Sequence, residues 1–204
     1  MIDQAQKWQS LARNLILFTI LYNLVEAGVS ILSGLAAGSI SLLGFGLDSI
    51  IETAAAGVLL WRFSSDVKAG EVDEGREAFI RRFIGGTFFL LAAYIVVESG
   101  INLWQQHRPE ESLIGIVIAI ASLVIMPVLV WGKLRVAERM NYKPLAMEAK
   151  ETLACLLLSA ILLIGLLSYA LLGWWWMDSV AALAMVPWLV KEGREGFEED
   201  GCCG

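Results

Sequence analysis

Apolar residues run along the chain in long blocks separated by short charged segments. Between Asn14 and Leu47 the single charged residue is Glu26, and between Thr152 and Val190 it is Asp178. Each block is longer than the roughly 20 residues that one upright helix needs to cross a bilayer. Each must therefore turn back once. The small-residue stretch "SGLAAGS" (33–39) supplies a turn in the first block. "GWWW" (173–176) supplies one in the second, with Trp at the membrane interface. The pattern predicts spans at about 11–34, 39–62, 79–105, 112–133, 145–172 and 174–191. Polar loops are expected at 63–78, 105–111 and 133–144, with a short tail at 192–204. Pro127 falls inside the fourth span as a candidate kink.

Composition supports this reading. The 204 residues are 57% hydrophobic, with mean hydropathy +0.67. A chain this apolar satisfies its backbone inside lipid by closing every hydrogen bond within helices. The expected fold is an all-α integral membrane protein of six transmembrane helices, forming one domain over 1–204. Of the 15 Lys and Arg, all but Arg108 fall at the chain ends or near the loops that six spans place on one side. The excess of basic residues on that side puts both termini in the cytoplasm, in a bacterial plasma membrane. A net charge of −6 gives no electrostatic support for binding nucleic acid. Three cysteines suggest no disulfide framework. The opening "MIDQAQKWQSLARN" has no short apolar core or cleavage site and reads as mature sequence. No P-loop, nucleophile elbow or HExxH motif is present, so no enzymatic activity is expected.

The candidate chemistry lies in the acids within the spans: Glu26, Asp48, Glu52, Glu98, Glu151 and Asp178, with Glu148 near the start of the fifth. Lys150 is the only base the pattern puts near them, so ion pairing cannot neutralise the set. An ionised acid at mid-bilayer costs at least ~2.5–3.5 kcal/mol. A path for cations or protons accounts for that cost. From residue 40 near the outer surface, Asp48 lies roughly 12 Å in and Glu52 roughly 18 Å in, at about 1.5 Å per residue. They bracket the midplane of a ~30 Å core. Their i, i+4 spacing puts both on one helix face, where like charges repel unless a cation or proton intervenes. Glu151 and Cys155 repeat the spacing on the fifth span. Two such pairs supply four donors to one ion, which suits tetrahedral coordination. Carboxylates favour hard ions, while a thiolate favours softer ones such as zinc.

Each residue also has a plainer reading. Asp48 and Glu52 can be a protonated, hydrogen-bonded pair, Glu151 a partner of Lys150, and Cys155 a small apolar filler. Glu26, beside Asn23, is either a support or proton carrier for the site or a hydrogen-bonding helix contact. Glu98 and Asp178 lie near outer span ends and read first as structural. Asp178 then stands in the first turn of a helix, and Glu98 stays a candidate for the proton path. His107 beside Arg108 reads as a solvated loop residue. Cys202 and Cys203 form a vicinal pair after an acidic run (Glu195, Glu198, Glu199, Asp200) and read as a reduced pair, with metal capture or acylation as alternatives. Gly34 and Gly38 have the spacing of a helix-packing pair.

The stretch "AGSISLLGFGLDSIIE" (37–52) resembles the second span of the cation diffusion facilitator family, where a Gly-Ser and an apolar run precede an acid pair. "ESGINLWQQHRPE" resembles the family's third-span exit. "AMEAKETLACLLLSAILLIG" (146–165) resembles its fifth span, D-A-x-H-x-x-x-D. On that match Glu148 takes the first Asp position, Glu151 the His position and Cys155 the last Asp position. The resemblance implies a transporter moving divalent metal out of the cytoplasm, as a homodimer, in exchange for protons. It implies a site between the second and fifth spans, formed by Asp48, Glu52, Glu151 and Cys155. Zinc is the first candidate ion, with manganese, iron, cobalt, nickel and cadmium open. Metal reaches the site from the cytoplasm, a rocking change exposes it outward, and outer protons compete for the carboxylates. The short tail cannot form the family's cytoplasmic C-terminal domain, so any dimer is expected to use the spans. Two other classes remain. One is a proton-coupled transporter of an organic cation, and the other a non-transporting membrane partner.

Overall fold

A computed structural model describes residues 2–69, 74–106 and 110–197. The regular elements among them are six helices: α1 (Ile2–Ala37), α2 (Ile40–Ala69), α3 (Glu74–Gln105), α4 (Leu113–Met140), α5 (Lys143–Leu172) and α6 (Trp176–Phe197). Both expected hairpin turns are present. α1 stops at Gly38 (φ 63°), and α5 stops at Gly173 (φ 68°), whose N–H bonds Tyr169 O. A left-handed residue of this kind ends a helix cheaply only when it has no Cβ. Gly38 therefore serves the turn rather than helix packing. Gly34 does pack, with a virtual Cβ only 2.9 Å from the Leu43 backbone nitrogen.

Two expected loops shrink. α2 runs on to Ala69 and α3 begins at Glu74, so most of 63–78 is helical. α4 runs on to Met140, and only Asn141 and Tyr142 separate it from α5. Asn141 takes the left-handed conformation (φ 49°), and its N–H reaches Ala137 O and Glu138 O. The physical reason is that charge ends burial in lipid but not helix formation. Leu, Arg, Ala and Glu in "KLRVAER" are good helix formers in water. α3 ends at Gln105, with Gln106 at φ 53°, and Ser112 caps α4 through a bond from Gly115 N (3.0 Å). α4 continues through Pro127. His107, Arg108, Glu198, Glu199, Asp200, Cys202 and Cys203 lie outside the described residues.

Five helices, α1 to α5, are long and apolar enough to cross a membrane. The sixth expected span, 174–191, does form a helix, but α6 does not reach that mark among the described residues. Its apolar stretch is bounded by Asp178 and Lys191. The burial pattern suits lipid. On α1 the large side chains Phe18, Leu21, Leu24, Val25, Leu32 and Leu35 point outward, while Thr19, Asn23, Glu26 and Ser30 are fully buried. Those four recur at helical spacing and form one inward polar stripe.

α2 is the hub of the bundle. It packs on α1, α3, α5 and α6, while α3 packs on α6, and α4 on α1 and α5. Two devices fix its position. Gly46 lets α1 approach closely, since a Cβ there would lie 3.0 Å from Ile31 N and 2.8 Å from Ile31 Cγ1. Asp178, in the first turn of α6, also caps α2. Its carboxylate accepts from Ile40 N (2.9 Å), Ser39 Oγ (2.5 Å) and Ser41 Oγ. The first-turn reading of Asp178 therefore holds, with a second helix N-terminus added to the one it opens. Two helix starts meet at one buried carboxylate, which orients α2 and α6 from the same end.

These contacts carry two expectations. Gly46→Ala pushes α1 off α2 and costs about 1–3 kcal/mol, seen as a lower apparent melting temperature in detergent. Asp178→Ala strands buried donors at the start of α2 and costs at least ~1–2 kcal/mol on the same measurement.

Candidate functional site

Asp48 and Glu52 stand one turn apart on α2, each 6% exposed. They line a small cavity of about 20 Å³ together with Glu151 from α5 and Glu192 from α6. Phe88, Trp188, Ala55 and Ala154 form the apolar walls. A space of this size holds roughly one water-sized body. Among the described residues, no basic side chain lines the cavity. Three of the four expected donors are thus brought together. Among the described residues, no three His, Cys, Asp or Glu side chains converge as a ready-made metal cluster. The acids line the space without closing on a common point.

Cys155, the fourth expected donor, is buried but does not line the cavity. Its thiol donates to Glu26 Oε2 (3.6 Å) and also contacts Glu52. It stands behind the acid pair rather than on the wall. Glu26 is fully buried and joins four helices. It accepts from Ser49 Oγ of α2 (2.9 Å), from Ser122 Oγ of α4 and from the Cys155 thiol of α5. Tyr22 Oη lies 2.8 Å from Ser122 Oγ. The hydrogen-bonding reading of Glu26 is therefore realised, and its carboxylate sits next to the expected site. Asn23, on the same face of α1, is buried, and its amide finds no partner among the described residues. Glu98 is not on the cavity wall. It sits ten residues beyond Phe88 on α3, about 15 Å along the helix.

Two functional residues escape the sequence pattern. Glu192 falls in the expected tail, yet α6 carries it one turn past Trp188 onto the cavity. Lys133 falls at the edge of the fourth span, yet it is fully buried. Its Nζ lies 2.7 Å from Glu148 Oε1 and donates to Thr152 Oγ1 at 2.7 Å. Thr152 Oγ1 in turn donates to Glu52 Oε1 (3.0 Å). The base that serves the acids is therefore Lys133 and not Lys150, which is exposed. Glu148 spends its charge on this pair and not on the cavity. Folding α4 and α5 about Asn141–Tyr142 sets residues 133 and 148 opposite each other, and a shorter loop expectation would have paired them.

The architecture defines a class: a helical membrane bundle, apolar outside, with an acidic cavity between α2, α5 and α6. Residues 16–200 match the cation efflux transmembrane domain family, and the chain belongs to that family. It is similar to an uncharacterised transporter of a Synechocystis strain, with 23% identity over 180 residues and 86% of this chain covered. The chain spans 58% of the length of that relative.

The buried pair makes a direct expectation. Lys133→Met leaves Glu148 buried without its partner and destabilises the protein by about 3–5 kcal/mol. The double variant Lys133→Met/Glu148→Met removes both charges and recovers most of that loss. Unfolding monitored in detergent reads both.

Proposed function

We propose that the protein carries a divalent metal cation across the membrane through the cavity between α2, α5 and α6. Asp48, Glu52 and Glu151 are the primary ligands. Cys155 stands behind them, able to join as the fourth donor when the site tightens around an ion. The observation that carries this reading is the cavity itself: acids from α2, α5 and α6 line one small space, with no base on it among the described residues. Carboxylates gathered this way repel one another, and a bound cation removes both the repulsion and much of the burial cost.

A cavity of about 20 Å³ suits a bare ion, which favours an ion over the organic-cation alternative. Among the described residues no base lines the cavity, which argues against a purely structural role, because structural buried acids are paired, as Glu148 is. Membership of the cation efflux family supports the same reading.

The finer features follow from the residue pattern and the family resemblance. The direction is export from the cytoplasm, by alternating access, with protons from the far side displacing the metal from the same carboxylates. Zinc is the first ion to try, and manganese, iron, cobalt, nickel and cadmium follow. The six helices act as one transmembrane unit, both termini face the cytoplasm of a bacterial cell, and two copies associate through their spans.

The test is metal binding to the purified chain by calorimetry, paired with Zn²⁺ and Mn²⁺ flux in proteoliposomes under an imposed pH gradient. Wild type is expected to bind and move at least one of these ions. Asp48→Asn/Glu52→Gln is expected to lose at least ~10-fold in affinity, with transport falling to the level of empty vesicles. Unchanged flux in a folded Asp48→Asn variant removes the metal site from this cavity. Proton movement without any metal dependence returns the organic-cation reading.

A further inference from the structure

We propose that Lys133 acts through Thr152 as a positioning device for Glu52, presetting that carboxylate for cation capture. This rests on the cavity being the cation site.

The donor and acceptor arithmetic leads there. An ammonium group has three donors and no acceptor. Lys133 Nζ uses one donor on Glu148 Oε1 (2.7 Å) and one on Thr152 Oγ1 (2.7 Å). The Thr152 oxygen must therefore accept from lysine, and its single proton is left for an acceptor. Two are in reach: Glu52 Oε1 at 3.0 Å and the Glu148 backbone oxygen at 3.2 Å. The side-chain choice runs a directed chain from α4 through α5 to α2. Lysine sets the hydroxyl, and the hydroxyl sets the carboxylate.

The outcome at Glu52 is asymmetric. Oε1 is committed to Thr152, while Oε2 is buried and has no hydrogen-bond partner among the described residues. Glu52 lines the cavity, and Oε2 is the oxygen that Thr152 leaves free to turn to an ion. A carboxylate held by one oxygen loses less freedom when the other is bound, which is how an outer hydrogen bond raises the affinity of a ligand. Lys133 itself does not line the cavity, and Glu148 pairs with its charge at 2.7 Å. Its positive charge therefore orients the ligand without standing in the place of the incoming cation.

A buried ion pair that served only as a strut would need Lys133 and Glu148 alone. The second bond, to Thr152, and the third, from Thr152 to Glu52, distinguish the two roles, and uptake kinetics read the difference. The measurement is initial Zn²⁺ and Mn²⁺ uptake by the full chain in proteoliposomes, as a function of metal concentration. The variants are Thr152→Val, Thr152→Ser, the double Lys133→Met/Glu148→Met, and Asp48→Asn as control. Thr152→Val keeps the shape and the Lys133–Glu148 pair but removes the hydroxyl. It is expected to raise the half-saturating metal concentration about tenfold, with maximal rate within about twofold of wild type. Thr152→Ser restores the wild-type value. The double variant keeps a neutral, packed interior and is expected to shift half-saturation in the same direction as Thr152→Val.

If Thr152→Val and the double variant both saturate as wild type does, while Asp48→Asn abolishes uptake, the relay is a strut. The positioning role is then overturned and the cation site stands. If Asp48→Asn transports like wild type, or wild type moves neither ion, the cation-site reading itself fails and this inference falls with it.

Discussion

A carboxylate in a membrane has to be kept from lipid, and the protein does this by making each buried acid a junction between helices. Hydrocarbon offers no hydrogen bonds, so a buried charge must find its partners within the protein or carry a counter-charge of its own. Glu26 gathers hydroxyls and a thiol from three other helices. Asp178 holds the start of α2. Glu148 takes the buried lysine. Asp48, Glu52 and Glu151 lack that degree of satisfaction and open onto a cavity instead. What separates the junction acids from those on the cavity in this bundle is therefore partnering, not depth or spacing.

α2 is the element on which these junctions converge. Its N-terminus is held by α6 through Asp178, its middle by α1 through Glu26 and Ser49, and Glu52 by α5 through Thr152. Close approach at Gly34 and Gly46 brings the α1 backbone against it. A helix restrained at three heights presents Asp48 and Glu52 at a defined place, which a binding site requires. The same connections link the cavity to four neighbouring helices. A rigid-body movement of α5 or α6 relative to α2 changes the separation of the cavity carboxylates directly.

Small hydroxyls carry much of this organisation. Ser39, Ser41, Ser49, Ser122 and Thr152 each sit at an acid, and several also return a bond to the carbonyl one turn earlier in their own helix. A hydroxyl has a single proton to donate, so at Ser49, Ser122 and Thr152 the carboxylate and the hydroxyl's own backbone carbonyl are alternative acceptors for it. These residues are nearly invisible to hydropathy, which is why an analysis based on charges alone finds the acids but not what separates them.

By itself the chain determined the apolar blocks, the turns at Gly38 and Gly173, the inward acids and the pairing of Asp48 with Glu52. Helical periodicity and the absence of water in lipid leave few other arrangements for such a pattern. Helix ends were less legible: "KLRVAER" and the start of α3 are polar yet helical, because solvation and helix propensity are separate properties. Only the tertiary structure decided which acids are partnered. Lys133 and Glu148 meet across the α4–α5 hairpin, Glu192 reaches the cavity because α6 runs parallel to α2 from their shared cap at Asp178, and Cys155 turns toward Glu26. Those contacts join residues from 15 to more than 100 positions apart. They are set by how whole helices dock, which no local pattern of residues encodes.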